Sequence, residues 1–335
     1  MREAESRRRS VWSWVASLAL AAALLYFAVR GVEWRRVWQT IEGVAWRYVV
    51  LSGLLCCGSF FLRSLRWRIL LNAETRLSVG AVFSATMAGY LGNNFLPARA
   101  GELVRTFIIS SRSPLSKTYV LTTALAERMM DAVFLVLWGS IVLLGVNPKP
   151  GWLQDVSWGT ALIGAGGAFA IAVVPHTGKL CEAILARIPM PAALRERILG
   201  VAAQVLAGLR VFHDVRRFAG FVLMTVVIWS VDAASMMIGG YAFGLGINYT
   251  VAALLLCGMG LGSAVAPTPG YVGTYQSVAV TVLTPFGISK DEALAFILVS
   301  QAAGYVVVTI LGLPAILRYR GWKLQKAEAA GVSDR

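Results

Sequence analysis

The chain has 335 residues, 57% hydrophobic and 14% charged, with a mean hydropathy of +0.67 and a net charge of +14 from 31 Lys and Arg against 17 Asp and Glu. Soluble domains carry about 45–50% apolar and about 25% charged residues, so this composition lacks the polar groups needed to cover a water-facing surface. It excludes a secreted or nucleic-acid-binding protein, and it predicts an integral membrane protein whose positive charge belongs to membrane electrostatics.

In chain order, the run 11–29 follows Arg2, Arg7, Arg8 and Arg9, carries no charge, and ends at Val29-Arg30-Gly31 without a small-residue cleavage pattern. It reads as a retained first helix rather than a signal peptide. Trp34, Val37, Trp38 and Ile41 make a short amphipathic stretch with tryptophan at the headgroup level. Further crossings are predicted near 44–64, 118–146, 156–175, 218–246 and 292–317, about six in all. From 233 to 289 no Asp, Glu, Lys or Arg occurs, a run of 57 residues. That exceeds two crossings of about 20 residues each.

Placing the N-terminus in the cytoplasm puts five groups of basic residues inside: Arg2 to Arg9; Arg63, Arg66, Arg68 and Arg76; Arg99, Arg105, Arg112 and Lys117; seven from Lys179 to Arg217; and Arg318, Arg320, Lys323, Lys326 and Arg335. Those 24 of the 31 basic residues oppose six outside (Arg30, Arg35, Arg36, Arg47, Lys149 and Lys290), with Arg128 left inside a helix. This is a positive-inside signal, with both termini cytoplasmic. Residues 192–213 carry Leu194, Ile198, Val201, Val205, Leu209 and Phe212 on one stripe, a helix expected to lie on the cytoplasmic leaflet.

Two apolar runs are broken by proline and polar residues. The first reads Leu91-Gly-Asn-Asn94-Phe-Leu-Pro97-Ala-Arg99-Ala-Gly101-Glu102-Leu-Val-Arg105. The second reads Leu261-Gly-Ser-Ala-Val-Ala-Pro267-Thr-Pro269-Gly270-Tyr-Val-Gly273-Thr-Tyr275-Gln276. Both carry Leu-Gly, four residues and Pro, at an offset of 170. In the orientation above they enter from opposite faces, which predicts two re-entrant hairpins, 78–112 and 250–288, in inverted repeats. Irregular backbone survives at membrane depth only where protein buries it or it lines a wet cavity. Paired Gly/Pro breaks in two halves point to a transporter binding site at the repeat interface.

The resulting division is one transmembrane domain over 1–335. Its first half is about 1–175, followed by a cytoplasmic stretch 176–217, a second half 218–317 and a tail 318–335.

Ionisable residues inside a span are costly and default to functional candidates. Glu127 and Asp131 share a helix face at i, i+4, and Arg128 points away from them to pair across a contact. Asp232 stands mid-span, either as a coupling-ion site or as the partner of an arginine. At the start of a helix over 101–112, backbone N–H groups with Arg99 and Arg105 suit a phosphate. Cys56, Cys57, Cys181 and Cys257 read as packing residues, and His176 and His213 lack partners at ligand spacing. No metal or cofactor is predicted.

The motifs around Asn94–Arg105, Glu127-Arg128-x-x-Asp131 and Pro269-Gly270-x-x-Gly273-Thr-Tyr275-Gln276 resemble the flippase-like family, that of the transmembrane domain of lysylphosphatidylglycerol synthases. The resemblance implies a multi-pass bacterial or archaeal inner-membrane protein that moves lipids, aminoacylated lipids or polyprenyl-linked sugars between leaflets. Full-length synthases carry an aminoacyl-transferase domain after the membrane part. Only about 18 residues follow Leu317 here, so synthase activity is not expected. The sequence thus predicts translocation of an anionic phospholipid or polyprenyl-phosphate glycolipid. Arg99 and Arg105 engage the phosphate in this reading, Glu102, Glu127 and Asp131 orient them, and Tyr275 and Gln276 bond a sugar or amine. The alternatives are a membrane partner of a separate glycosyltransferase or synthase, and a membrane-embedded enzyme acting on a lipid phosphate.

Overall fold

The computed structural model describes residues 2–96, 100–145, 214–266 and 268–329, with the single positions Gly166 and Leu199. Pro97, Arg99, Pro267, the predicted span 156–175 and the surface helix 192–213 therefore lie outside the described residues.

Among the described residues ten α-helices follow one another: α1 Arg2–Val29, α2 Trp34–Glu42, α3 Trp46–Leu71, α4 Val79–Phe95, α5 Gly101–Ser111, α6 Lys117–Leu144, α7 Val215–Ala242, α8 Tyr249–Val265, α9 Thr274–Leu283 and α10 Lys290–Ala329. No strand occurs among the described residues. The protein is an all-α, polytopic membrane protein. By length and composition α3, α7 and the Lys290–Trp322 part of α10 suffice to cross a bilayer; the Ser17–Val29 part of α1 joins them if counted with α2, bent away by 85°. In α2, Val37 is buried while Trp34 and Trp38 are exposed, so valine is the protein-facing anchor and the tryptophans face outward.

Side chains that satisfy the otherwise free N–H groups of the first turn fix where the helices start. Ser78 accepts from Ala81 to open α4, Ser116 from Tyr119 to open α6, and Asn248 from Val251 to open α8. Ser289 and Glu292 cap α10 reciprocally, with Glu292 Oε2 accepting from Ser289 N and Ser289 Oγ accepting from Glu292 N.

The two broken segments match in form. Helices α4 and α8 each have 17 residues, start and end at an offset of 170, and turn back into α5 and α9. Neighbours recur as well: α3 packs on α4 as α7 does on α8, α5 on α6 as α9 on α10, and α4 on α10 as α8 on α6. Between the sets, α3 lies along α7. Ser52 Oγ is 2.9 Å from Ser235 Oγ and Arg66 reaches Thr225, so numbering rises along one helix as it falls along the other. The pair is antiparallel.

Small residues bring the hairpin arms together. A Cβ on Gly101 would collide with the Gly89 carbonyl and the Asn93 backbone, and one on Gly92 would sit 2.9 Å from Gly101 Cα. In the second hairpin, Gly258 and Gly262 lie against Val278, where a Cβ would meet it at 2.9 and 3.0 Å. Helix arms without these glycines could not approach as closely.

Candidate functional site

Four arginines and four carboxylates converge where α3, α5, α6 and α7 meet. Arg66 of α3 is fully buried. Its Nη1 and Nη2 grip Asp131 at 2.6 and 2.9 Å, Nη2 also donates to Glu127 at 2.9 Å, and Nη1 to Thr225 at 2.9 Å. Phe221 covers its guanidinium face at 4.9 Å. Arg105 donates to Glu102 and to Glu127 at 2.5 and 2.8 Å, and stacks on Trp67 at 4.3 Å. Arg63 bonds Asp232 and lies 4.7 Å from the Trp229 ring. Asp131 further accepts from Trp229 Nε1 at 3.2 Å. Fork-shaped guanidinium groups suit such bidentate, stacked pairing better than lysine does.

Arg128 is the exception. Its ion pairs to Glu102, Glu127 and Asp131 span 3.4, 3.5 and 3.6 Å, Tyr90 accepts from it at 3.3 Å, and among the described residues its Nε has no hydrogen-bond partner. Its side chain is 23% exposed, against 0, 3 and 9% for Arg66, Arg105 and Arg63. That exposure faces a cavity of about 290 Å³ whose wall includes Arg63, Asn93, Asn94, Glu102, Arg128, Asp131 and Asp232. Beyond them the wall turns apolar and aromatic, through Phe60, Leu135, Met236, Leu256, Met259 and Ile297.

The second break closes the opposite wall with neutral groups. A 3-10 turn, Pro269–Tyr271, carries Gly270 at φ 59° and Tyr271 at φ 61°. The Gly270 carbonyl accepts from Gln301 Nε2 at 2.7 Å and from the Tyr305 hydroxyl, both on α10. Gln276 accepts from Gly273 N at 2.7 Å and donates to Gln301 at 2.6 Å. Gly273, at φ 82°, lies against the Ala21 carbonyl and Leu24 of α1, where no side chain fits. Tyr271 and Tyr275 stack at 5.0 Å and face the cavity. The two breaks meet, since a Cβ on Gly270 would lie 3.2 Å from the Asn94 carbonyl.

Of the residues expected at the site, Asn94, Glu102, Arg128, Asp131, Asp232 and Tyr275 line this cavity. Arg105 and Glu127 stand behind its wall, with Arg105 held by carboxylates on two helices. Gly101, Gly270, Gly273 and Gln276 shape the hairpins, and Pro269 opens the turn. Asp232 takes the arginine alternative, pairing with Arg63. Arg63 and Arg66, counted among the cytoplasmic charges, are instead buried in the cluster, because α3 runs on to Leu71 and carries both against α6 and α7. Gln301 and Tyr305 went unseen; their i, i+4 spacing in an otherwise apolar run was the available signal.

A family model described as the lysylphosphatidylglycerol synthase TM region matches residues 14–312. The chain belongs to that family. Within it, the protein is 25% identical over 323 residues to a protein named Glycosyltransferase AglD of Haloferax volcanii, an alignment covering 86% of this chain and 51% of that protein. The chain thus spans about half that relative's length. Two proteins of Methanothermobacter thermautotrophicus named UPF0104 membrane protein are 23 and 20% identical, covering 94 and 88% of this chain and 94 and 90% of theirs.

Proposed function

We propose that this membrane protein is a lipid translocase in which the cavity between the two broken hairpins takes the headgroup of a phosphate-containing lipid. The carrying observation is Arg128, a cation on the cavity wall with only long ion pairs and, among the described residues, an unpartnered Nε, beside Arg66 and Arg105, which carboxylates hold at 2.5–2.9 Å. A phosphate oxygen is the acceptor that such a guanidinium lacks. At about 290 Å³ the cavity is near the small end of ligand pockets, about 300–1,000 Å³, so it suits a headgroup and leaves the acyl or prenyl chains outside. Phe95 and Val265, equivalent positions at the ends of α4 and α8, are 65 and 86% exposed and offer apolar lips for those chains.

In this reading the halves 46–144 and 215–329 are inverted repeats, the hairpins are re-entrant, and rocking of one half against the other exposes the headgroup to each side in turn. The matched caps, lengths and neighbours and the antiparallel α3–α7 pair support it. The end bearing Arg68, Arg112, Lys117, Arg216, Arg217, Arg318 and Arg320 faces the cytoplasm, with both termini.

Leaflet exchange of a fluorescent phospholipid in proteoliposomes tests this function. Arg128→Ala brings exchange down to the protein-free rate, while Arg35→Ala, far from the cavity, does not. Full exchange by a folded Arg128→Ala protein contradicts the proposal. A second reading, a membrane partner for a glycosyltransferase or lipid synthase, is favoured by the relative named as a glycosyltransferase. Copurification with such an enzyme, and loss of that enzyme's activity without this chain, distinguishes it.

A further inference from the structure

Resting on the headgroup reading, we infer that an anionic headgroup binds together with one proton, which Glu102 takes up. Among the described residues the cluster holds Arg63, Arg66, Arg105 and Arg128 against Glu102, Glu127, Asp131 and Asp232, so it is charge-balanced with nothing bound. A phosphodiester adds one negative charge to a site with largely apolar walls, where an uncompensated charge is strongly unfavourable.

The geometry shows which carboxylate gives way. Asp131 is gripped through both oxygens by Arg66 and also by Trp229. Asp232 keeps Arg63, and Glu127, away from the cavity, keeps Arg66 and Arg105. Glu102 Oε2 stays with Arg105, but its Oε1 pairs with Arg128 at 3.4 Å. When a phosphate draws Arg128 away, Oε1 loses its cation while it faces the cavity. A proton is then transferred from hydronium or the buffer acid, whose bond to it breaks, to Oε1, where an O–H bond forms. Among the described residues, the other ionisable groups around Glu102 are Arg105 on its own helix, Glu127, Arg128 and Asp131 on α6, Arg63 and Arg66 on α3, Tyr90 on α4, Asp232 on α7, Tyr271 and Tyr275 at the second break, and Tyr305 on α10. Glu102 is therefore the group whose partner the ligand removes.

The same arithmetic separates ligands. A zwitterionic headgroup brings its own positive charge and needs no proton.

The test is calorimetric titration of the purified full chain in detergent at neutral pH with dihexanoyl phosphatidylglycerol and with dihexanoyl phosphatidylethanolamine. Two buffers of different ionisation heat give the protons bound per lipid. Expected are about one proton with phosphatidylglycerol and none with phosphatidylethanolamine, and a phosphatidylglycerol affinity that falls about tenfold per pH unit wherever one proton is taken up. Glu102→Gln binds phosphatidylglycerol with no proton and without that pH dependence. Binding of phosphatidylglycerol by the wild-type protein with no proton overturns the inference and leaves the headgroup reading standing. A proton still taken up by Glu102→Gln overturns the assignment to Glu102. Failure of both lipids to bind removes the headgroup reading and this inference together.

Discussion

The two broken hairpins share a frame and differ in chemistry. Helices α4 and α8 have the same length and opening position in the repeat, and both fold back on glycine. Yet the first hairpin leads into Glu102 and Arg105 and joins a cluster of eight charges, whereas the second is closed by amide and hydroxyl groups of Thr268, Thr274, Gln276, Gln301 and Tyr305. The first hairpin thus brings charge to the cavity, and the second brings a neutral, aromatic wall. The lesson is that two hairpins of matched length and packing can carry different polar groups.

If that division is right, damage to the charged side outweighs damage to the neutral side. The largest effect is expected from Arg66→Met, which leaves Asp131 and Glu127 short of a buried partner. Removing one member of a buried ion pair costs about 3–5 kcal/mol. Thermal unfolding in detergent should show the loss, and Arg66→Met combined with Asp131→Leu should recover part of it. A neutral result for the single variant would break the comparison.

The glycines sharpen it next. Gly101→Ala drives a methyl group into backbone of α4, which cannot yield, while Gly262→Ala meets the side chains of Val278 and Thr274. Against the usual overpacking cost of about 1–3 kcal/mol, the first belongs at the top and the second at the bottom. Equal losses would show that the hairpins are closed with equal tightness. On the neutral side, Gln301→Leu strips Gly270 O and Gln276 of partners, at about 1–3 kcal/mol with part regained through the Tyr305 hydroxyl. Arg112, stacked 5.3 and 5.0 Å from Tyr319 and Trp322, gives the smallest effect. Arg112→Ala should lower stability by about 0.5–1 kcal/mol and leave lipid exchange intact.

The hairpins were legible because Gly and Pro punctuate apolar runs, and a break at membrane depth has few structural explanations. Glu127, Arg128, Asp131 and Asp232 were legible because charge inside a span is expensive, and Glu102 because it directly follows the first break. Their pairing was not. Arg63 and Arg66 sit near the end of a helix, where charge counting assigns them to the cytoplasm, and their partners lie 61–169 positions along the chain. Only the crossing of α3 with α6 and α7 turns them from surface residues into the centre of the cluster. The same ignorance of pairing placed the phosphate-binding role on Arg105, which the fold surrounds with Glu102, Glu127 and Trp67. Arg128, set aside in the charge count as the one basic residue inside a helix, lines the cavity together with Arg63.

The central claim is that Arg128 holds a lipid phosphate between the hairpins. Native mass spectrometry of the purified protein, wild type beside Arg128→Gln, measures this most directly. The account predicts a phospholipid mass that survives release from the micelle in the wild-type protein and is lost in the folded variant. Equal retention of that lipid by both proteins would contradict it.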